Sequence, residues 1–311
     1  MLLFASIFAV GIKGVLAEDN PTNPPRTVLQ VRPLFAFFQH MYSGIFSEPM
    51  GVFFDSRTQE IYVADTKNDL IGIFNSKGIS VFAFGANDDI KEPTKVVTDF
   101  QGRIYVLDID RTRVKTFNYR GEFLGHLEHP DLSSKGVIAT MAIDYEGNLY
   151  IGEHESGQIF VFDPKSNLKL KFGSRGKEKG QFQAISNIAV DKDGKIYVTD
   201  YQGIAVQVFD KNGNFLRGWG EHAVGVQNFS LPGGIAIDSK GRIIVADTLR
   251  QEIKVFDQEG KFLMRFGGFG NRPGDVAYHV DVAVDPSDRI YVTEKVGRRV
   301  QVFQETEIAQ R

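Results

Sequence analysis

The chain of 311 residues contains no cysteine, only one tryptophan and 11 prolines. The absence of cysteine excludes disulfides, thiolate zinc sites and a cysteine nucleophile, and by itself it indicates no compartment. The formal net charge of −3 gives no indication of nucleic acid or an anionic membrane as a partner. By contrast, 42% hydrophobic residues and 26 phenylalanines supply material for a large core. The composition therefore predicts a globular protein.

The amino terminus has the pattern of an export signal. Residues 2–12 form an apolar run of eleven, which is too short to span a bilayer and has the length of a secretory h-region. Val15 and Ala17 are the small residues expected before cleavage at Glu18. We therefore expect a signal peptide at 1–17, a Pro-rich linker at 18–27 and an extracytoplasmic location, periplasmic or secreted. A short membrane-associated helix is the alternative, because no Lys or Arg precedes the run.

A repeated segment dominates the rest of the chain. Its form is Ile-Tyr-Val-x-Asp, and its six copies begin at Ile61, Ile104, Leu149, Ile196, Ile243 and Ile290. Successive copies are 43 to 47 residues apart, the period of a four-stranded propeller blade. The acidic residues that end the copies are Asp65, Asp108, Glu153, Asp200, Asp247 and Glu294. Nine positions after them stand Phe74, Phe117, Phe162, Phe209, Phe256 and Phe303.

Each unit is interpreted as four short strands, a to d from the axis outward, separated by turn signals such as Asn212-Gly213. The sixth unit supplies only strands a to c and ends near Gln304. We expect the segment Val28–Phe38 to provide its missing strand, which would join the two ends of the chain and remove two sheet edges. The predicted fold class is all-β: a six-bladed β-propeller over residues 28–311, with four-stranded blades and the last blade closed by the N-terminal strand.

The motif in Ile243–Phe256, followed by the Phe-Leu-x-x-Phe-Gly of Phe262–Gly267, resembles the NHL repeat of six-bladed propellers. The resemblance covers Val28 to Gln304. The Gly-Asn-Asn turn typical of that family is mostly missing, and Asn68 is a partial match. This departure concerns the loops and leaves the fold expectation unchanged.

Candidate binding residues lie where strand a begins, on the face that we call the upper face. It carries the starts of strands a and c and the ends of strands b and d. Six residues, one per blade, should surround the channel mouth there, and they are Gly51, Lys95, Thr140, Asn187, Gly234 and Asp281. The polar members Lys95, Thr140, Asn187 and Asp281 are the predicted binding residues.

Two propeller enzyme classes that the sequence resembles imply a metal near the axis. Likeness to lactonases implies a divalent cation, and likeness to peptide amidating lyases implies zinc held by histidine. The candidate calcium or zinc ligands are Asn187, Asp281, His279 and His154. The alternative is that Asn187 and Asp281 are channel-lining groups satisfied by water and that the histidines are polar loop residues.

Two further charged sets are open to a functional or a structural interpretation. The acidic column from Asp65 to Glu294 could capture a cation, but its repetition in every blade favours hydrogen bonding to loop amides. The basic residues around Arg113 and Arg299 could bind RNA, as some NHL domains do, or could form a solvated charged face. We expect no nucleic-acid partner.

The sequence favours a non-catalytic, exported scaffold that binds a protein, peptide or glycan through loops of the upper face. The loops that differ most between blades are Glu128–Gly136, Arg175–Gln183, Glu221–Leu231 and Gly268–Ala277. No resident cofactor and no integral membrane span after signal cleavage are expected. The alternative is a metal-dependent hydrolase or lyase, lactonase-like or peptide amidating lyase-like, at the channel mouth.

Overall fold

A computed structural model describes residues 27–41, 43–85, 89–130, 132 and 136–309. The predicted signal peptide and the linker up to residue 26 lie outside the described residues. These residues form β-strands and one short 3-10 helix at Thr66–Asn68. Within the described ranges, no helix has the length and apolar character needed to cross a membrane.

Six four-stranded antiparallel sheets form the blades, and each sheet runs from strand a at the axis to strand d at the periphery. In the order a to d, the strands of blade 1 are Pro49–Asp55, Glu60–Asp65, Leu70–Asn75 and Ser80–Gly85. Those of blade 2 are Lys95–Thr98, Ile104–Leu107, Val114–Phe117 and Phe123–Leu127. Those of blade 3 are Ile138–Ile143, Leu149–Glu153, Gln158–Phe162 and Leu168–Phe172. Those of blade 4 are Ile185–Val190, Ile196–Asp200, Val206–Phe209 and Phe215–Trp219. Those of blade 5 are Pro232–Ile237, Ile243–Asp247, Glu252–Phe256 and Phe262–Gly267. Those of blade 6 are His279–Val284, Ile290–Glu294, Arg299–Ala309 and Thr27–Phe37.

The ends of the chain meet in blade 6, as the sequence predicted. Thr27–Phe37 pairs antiparallel with Arg299–Ala309, from Thr27 opposite Ala309 to Phe37 opposite Val300. A short hairpin of Gln39–His40 and Gly44–Ile45 then leads into strand a of blade 1. Each of these two strands is eleven residues long, so the hydrogen-bonded ladder that closes the ring is also long.

The core lies between neighbouring blades. The six phenylalanines that follow the acidic column are each at most 1% exposed and pack into separate apolar clusters. Phe256, for example, contacts Trp219, Phe229 and Phe262, with ring centroids 5.6 to 5.9 Å apart. Because strands buried on both faces are apolar on both faces, each blade stabilises its two neighbours.

Candidate functional site

A polar cluster closes the upper end of the central channel. Lys95 Nζ lies 2.7 Å from Asp281 Oδ2 and 3.0 Å from Asn187 Oδ1. Asn187 Nδ2 donates to Asp281 Oδ1 at 2.8 Å, and Thr140 Oγ1 donates to Asn187 Oδ1 at 3.2 Å. The four polar residues predicted at the channel mouth therefore meet, coming from blades 2, 3, 4 and 6, and we call them the axial cluster.

The axial cluster is buried and its groups satisfy one another. Asn187 is 6% exposed and Asp281 is 2% exposed. At the two remaining positions of the ring, glycine lets the next blade approach. A Cβ on Gly234 would lie 2.6 Å from Asp281 Cα, and one on Gly51 would lie 2.7 Å from the carbonyl oxygen of Thr94. The upper end is therefore closed, and a binding role of these side chains toward upper-face ligands stays a prediction.

The axial cluster does not fit a divalent cation. The oxygens of Asn187 and Asp281 that would hold the metal already bind the ammonium of Lys95. A calcium ion needs six to eight oxygen ligands and would lie against that positive charge. Across the part of the chain that the structure describes, no three His, Asp or Glu side chains are grouped to hold a metal. The lysine thus stands where the likeness to lactonases implied a cation.

His154 makes contacts outside this cluster. The ring of His154 stacks on Tyr201, with centroids 6.4 Å apart, and its carbonyl accepts a hydrogen bond from Arg175 Nη1. His279 begins strand a of blade 6 opposite Glu294, and its side chain lies outside the described residues. A metal-binding role for either residue stays a prediction.

The acidic column has a local structural role, as its repetition predicted. Asp200 accepts hydrogen bonds from Gln183 N at 2.6 Å and from Gly203 N at 2.8 Å, so it joins two loops of its own blade. All six members of the column are buried and accept at least one backbone amide. These bonds fix the upper-face loops against strand b.

The side-chain partners of the column acids are not the same in every blade. In blade 5 Lys254 is fully buried, with Nζ 2.9 Å from Asp247 Oδ2, and burial lowers the pKa of this lysine while Asp247 opposes the shift. In blade 1 the partner is His40, whose Nε2 lies 2.9 Å from Asp65 Oδ2. In blade 6, Arg299 Nε lies 2.7 Å from Glu294 Oε1. Arg299, one centre of the RNA interpretation, therefore binds within its own blade.

A second set of contacts, which sequence reasoning missed, fixes the opposite ends of the a strands. Tyr105, Tyr150, Tyr197 and Tyr291 each bring their hydroxyl 2.9 to 3.1 Å from the carboxylate of the aspartate that directly follows strand a of the same blade. Burial raises the pKa of all four tyrosines, and the neighbouring carboxylates raise it further. Each tyrosine comes six positions after its aspartate, across the a–b turn. The antiparallel pairing of that hairpin brings the two side chains together, and this pairing was the signal in the sequence that could have revealed the contact.

Four exposed apolar side chains lie on upper-face loops of blades 5, 6 and 1. We call Ile45, Leu249, Tyr278 and Val296 the apolar band, and they are 46 to 60% exposed. Hydrogen bonds join the loops that carry them. Gln251 Oε1 accepts from Tyr278 N at 2.6 Å, and Lys295 N donates to Tyr278 O at 3.0 Å. Arg298 Nε donates to Phe46 O at 2.7 Å, next to Ile45.

The architecture defines the class: the chain is an all-β six-bladed propeller with four-stranded blades. Residues 235–307 match the family model DUF5128, described as a 6-bladed beta-propeller. The chain is also 30% identical over 141 residues to the protein brain tumor of Drosophila melanogaster. That alignment covers 42% of this chain and only 13% of the fly protein. The predicted recognition as an NHL-type six-bladed propeller is confirmed.

Solved structures share the fold at low sequence identity. A gluconolactonase from Xanthomonas campestris superposes with a TM-score of 0.65 at 12% identity, covering 96% of this chain and 99% of that one. An auxiliary nutrient binding protein from Bacteroides thetaiotaomicron gives a TM-score of 0.67 at 10% identity, covering 90% of this chain and 77% of the other. An enzyme and a binding protein thus share this architecture, so the fold alone assigns no activity.

Proposed function

We propose that the chain is an exported, non-catalytic scaffold that binds a partner through the upper face. The observation that carries the proposal is the apolar band. Isolated apolar side chains are ordinary on a protein surface, whereas a connected patch marks an interaction site. Two of the four residues of the band, Ile45 and Tyr278, lie close to backbone amides that the buried acidic column holds, those of Ser47 and Ala277.

The composition of the band favours a polypeptide among the partners that the sequence suggested. Ile45, Leu249 and Val296 are aliphatic, and such side chains pack against apolar anchors of a protein or peptide. Charged groups at its edge include Lys295 and Glu48, whose side chains are 3.1 Å apart and partly exposed. A polar rim around an apolar centre is the ordinary anatomy of a protein interface.

The comparisons add a general argument for binding. The Bacteroides structure is described as a nutrient binding protein, so a six-bladed propeller of this shape can serve binding. The gluconolactonase supports the enzyme alternative equally at the level of the fold. The position of Lys95, where a catalytic cation was expected, supports the scaffold proposal over the enzyme alternative.

A capture experiment with a matched variant tests the proposal. Wild-type protein, the double variant Leu249→Asp/Val296→Asp and the control Ile79→Asp/Val81→Asp are crosslinked in the exported fraction, where a mature chain starting at Glu18 is expected. Ile79 and Val81 are 55% and 53% exposed on the outer edge of blade 1, so the control changes the same kinds of residues elsewhere. We expect capture by wild type and control, and about tenfold less by the band variant.

Equal capture by all three proteins would contradict the proposal. Elemental analysis of the same preparations tests the enzyme alternative, which requires about one calcium or zinc per chain that Asp281→Ala removes. Hydrolase or lyase activity that is lost when that metal is removed would favour the enzyme alternative and contradict the scaffold proposal.

A further inference from the structure

The central channel contains a cavity that opens on the face opposite the apolar band. Its volume is ≈ 450 Å³, within the range of pockets that enclose small organic ligands. Lys95 is the member of the axial cluster that lines it. From there the lining follows the a strands to the a–b turns, including Arg57, Gly147 and Ser239. The cavity is therefore blind at the axial cluster and accessible from the lower face.

The walls of the cavity are apolar and small. One layer of the a strands contributes Ala142, Ala189, Ala236 and Ala283, together with Phe53 and Val97. Four alanines in six blades leave the axis open where larger side chains would fill it. A molecule inside would therefore contact mainly methyl groups and the ring of Phe53, which favours an apolar body.

The blind end offers a hydrogen-bond donor. The ammonium of Lys95 has three N–H groups, and its two described acceptors are Asn187 Oδ1 and Asp281 Oδ2. The lysine side chain is 14% exposed and lines the cavity. An oxygen acceptor at the end of a ligand would meet the third N–H group. Because Asp281 neutralises the ammonium, the position favours a neutral carbonyl or hydroxyl oxygen over an anion.

The carboxylates at the open end already have hydrogen-bond partners within the protein. Asp55 binds Arg57 and Thr98, Asp99 binds Arg103, and the other a-strand carboxylates are bonded in the same manner. The exposed groups at this rim include two aromatic side chains, Phe100 at 51% and Tyr145 at 64% exposure. The entrance is thus suited to aromatic contact with a ligand.

We propose that this lower-face cavity binds a small, neutral, mainly apolar molecule with one carbonyl or hydroxyl oxygen, which accepts a hydrogen bond from Lys95. The site is independent of the partner surface proposed above, since the two lie on opposite faces. Ligand binding and partner capture can therefore be tested separately, and failure of one leaves the other in place.

Prodan, a neutral naphthyl ketone whose emission depends on polarity, is a suitable probe. We expect one site per chain and a shift of emission to shorter wavelength on binding. Ala189→Phe should weaken binding about tenfold or more because it fills the cavity, and Ala283→Leu should act in the same direction. Ala223→Phe is the size-matched control, because Ala223 is exposed in an upper-face loop. Thermal unfolding checks that each variant is folded.

The Lys95 assignment is tested on wild-type protein alone. 2-Acetylnaphthalene and 2-ethylnaphthalene are compared as competitors of prodan, since they differ mainly in the ketone oxygen. The ketone should compete about fivefold or more better, as one hydrogen bond to a charged donor implies. Equal competition would overturn the role of Lys95. Binding that Ala189→Phe leaves intact and Ala223→Phe abolishes would place the probe on the upper face and overturn the cavity site.

Discussion

The two ends of the central channel are built from the same six strands, yet they follow different rules. At the lower end an aspartate ends or directly follows every a strand. These carboxylates bond mainly inside their own blades, as Asp191 does to Tyr197, although Asp55 also accepts from Thr98 of blade 2. At the upper end the six positions carry five residue types, and Lys95, Asn187 and Asp281 bond across the axis. Repeated residues thus stabilise single blades, and unrepeated ones join distant blades.

Removing a contact of the axial cluster at the upper end should have the largest effect on stability. Asp281→Ala leaves the ammonium of Lys95 without its carboxylate in a site where the aspartate is 3% exposed. We expect the free energy of unfolding to fall by about 3 to 5 kcal/mol, measured by urea denaturation. The double variant Lys95→Met/Asp281→Ala should regain most of this loss, because it removes the unpaired charge. A single variant as stable as wild type would show that the cluster does not hold the blades together.

Removing one contact at the lower end should lower the free energy of unfolding by less, because the effect stays within one blade. Tyr197→Phe removes the hydroxyl that lies 3.1 Å from Asp191 Oδ2. We expect a loss of about 1 kcal/mol in the free energy of unfolding. Tyr62→Phe is the matched control, since the hydroxyl of Tyr62 lies 3.3 Å from Glu60 and makes no such bond to its a-strand aspartate. Equal losses in the two variants would remove the special role of the tyrosine–aspartate pair.

The smallest effect concerns pH. Burial opposes ionisation of Asp55, but hydrogen bonds from Arg57 and Thr98 outweigh it and lower the pKa of this carboxyl below 3.8. The unfolded chain therefore takes up the proton first, so the stabilisation is present at neutral pH and is lost as pH falls through the lowered pKa. Asp55→Asn should lose less stability than wild type between about pH 5 and pH 3.

Unfolding measured at several pH values checks this difference. Glu259→Gln is the control, because the Glu259 side chain is 79% exposed. A wild type and an Asp55→Asn variant with parallel pH profiles would contradict the assigned shift.

Much of the fold could be predicted because it is repeated. The period of 43 to 47 residues and the Phe column imply a local structure that recurs in all six blades. The missing strand of the sixth unit predicted the closure of the ring, and Thr27–Phe37 supplies that strand. Even the axial residues were identifiable, since Lys95, Thr140, Asn187 and Asp281 occupy one register position of strand a. Their mutual bonding was not predictable, because it depends on the radius of the ring and on the length of each side chain.

His40 shows where repetition ends. At the strand c position that carries Lys115 in blade 2 and Lys254 in blade 5, blade 1 has Gly72. The ring of His40 fills that space from the N-terminal hairpin, and a Cβ on Gly72 would lie 2.3 Å from its Cε1 atom. The glycine is visible in the aligned repeat, but nothing in the sequence connects it to a histidine 32 positions earlier.

The sequence by itself determined the blades, because alternating apolar residues, turn residues and repeated acids act over distances of one hairpin. Closure of the ring also followed from it, since one unit lacked a strand and one segment lacked a partner. Only the tertiary structure decided which unrepeated polar groups meet and which end of the channel stays open. Those contacts join residues that are up to 186 positions apart, and their geometry exists only after the ring has formed.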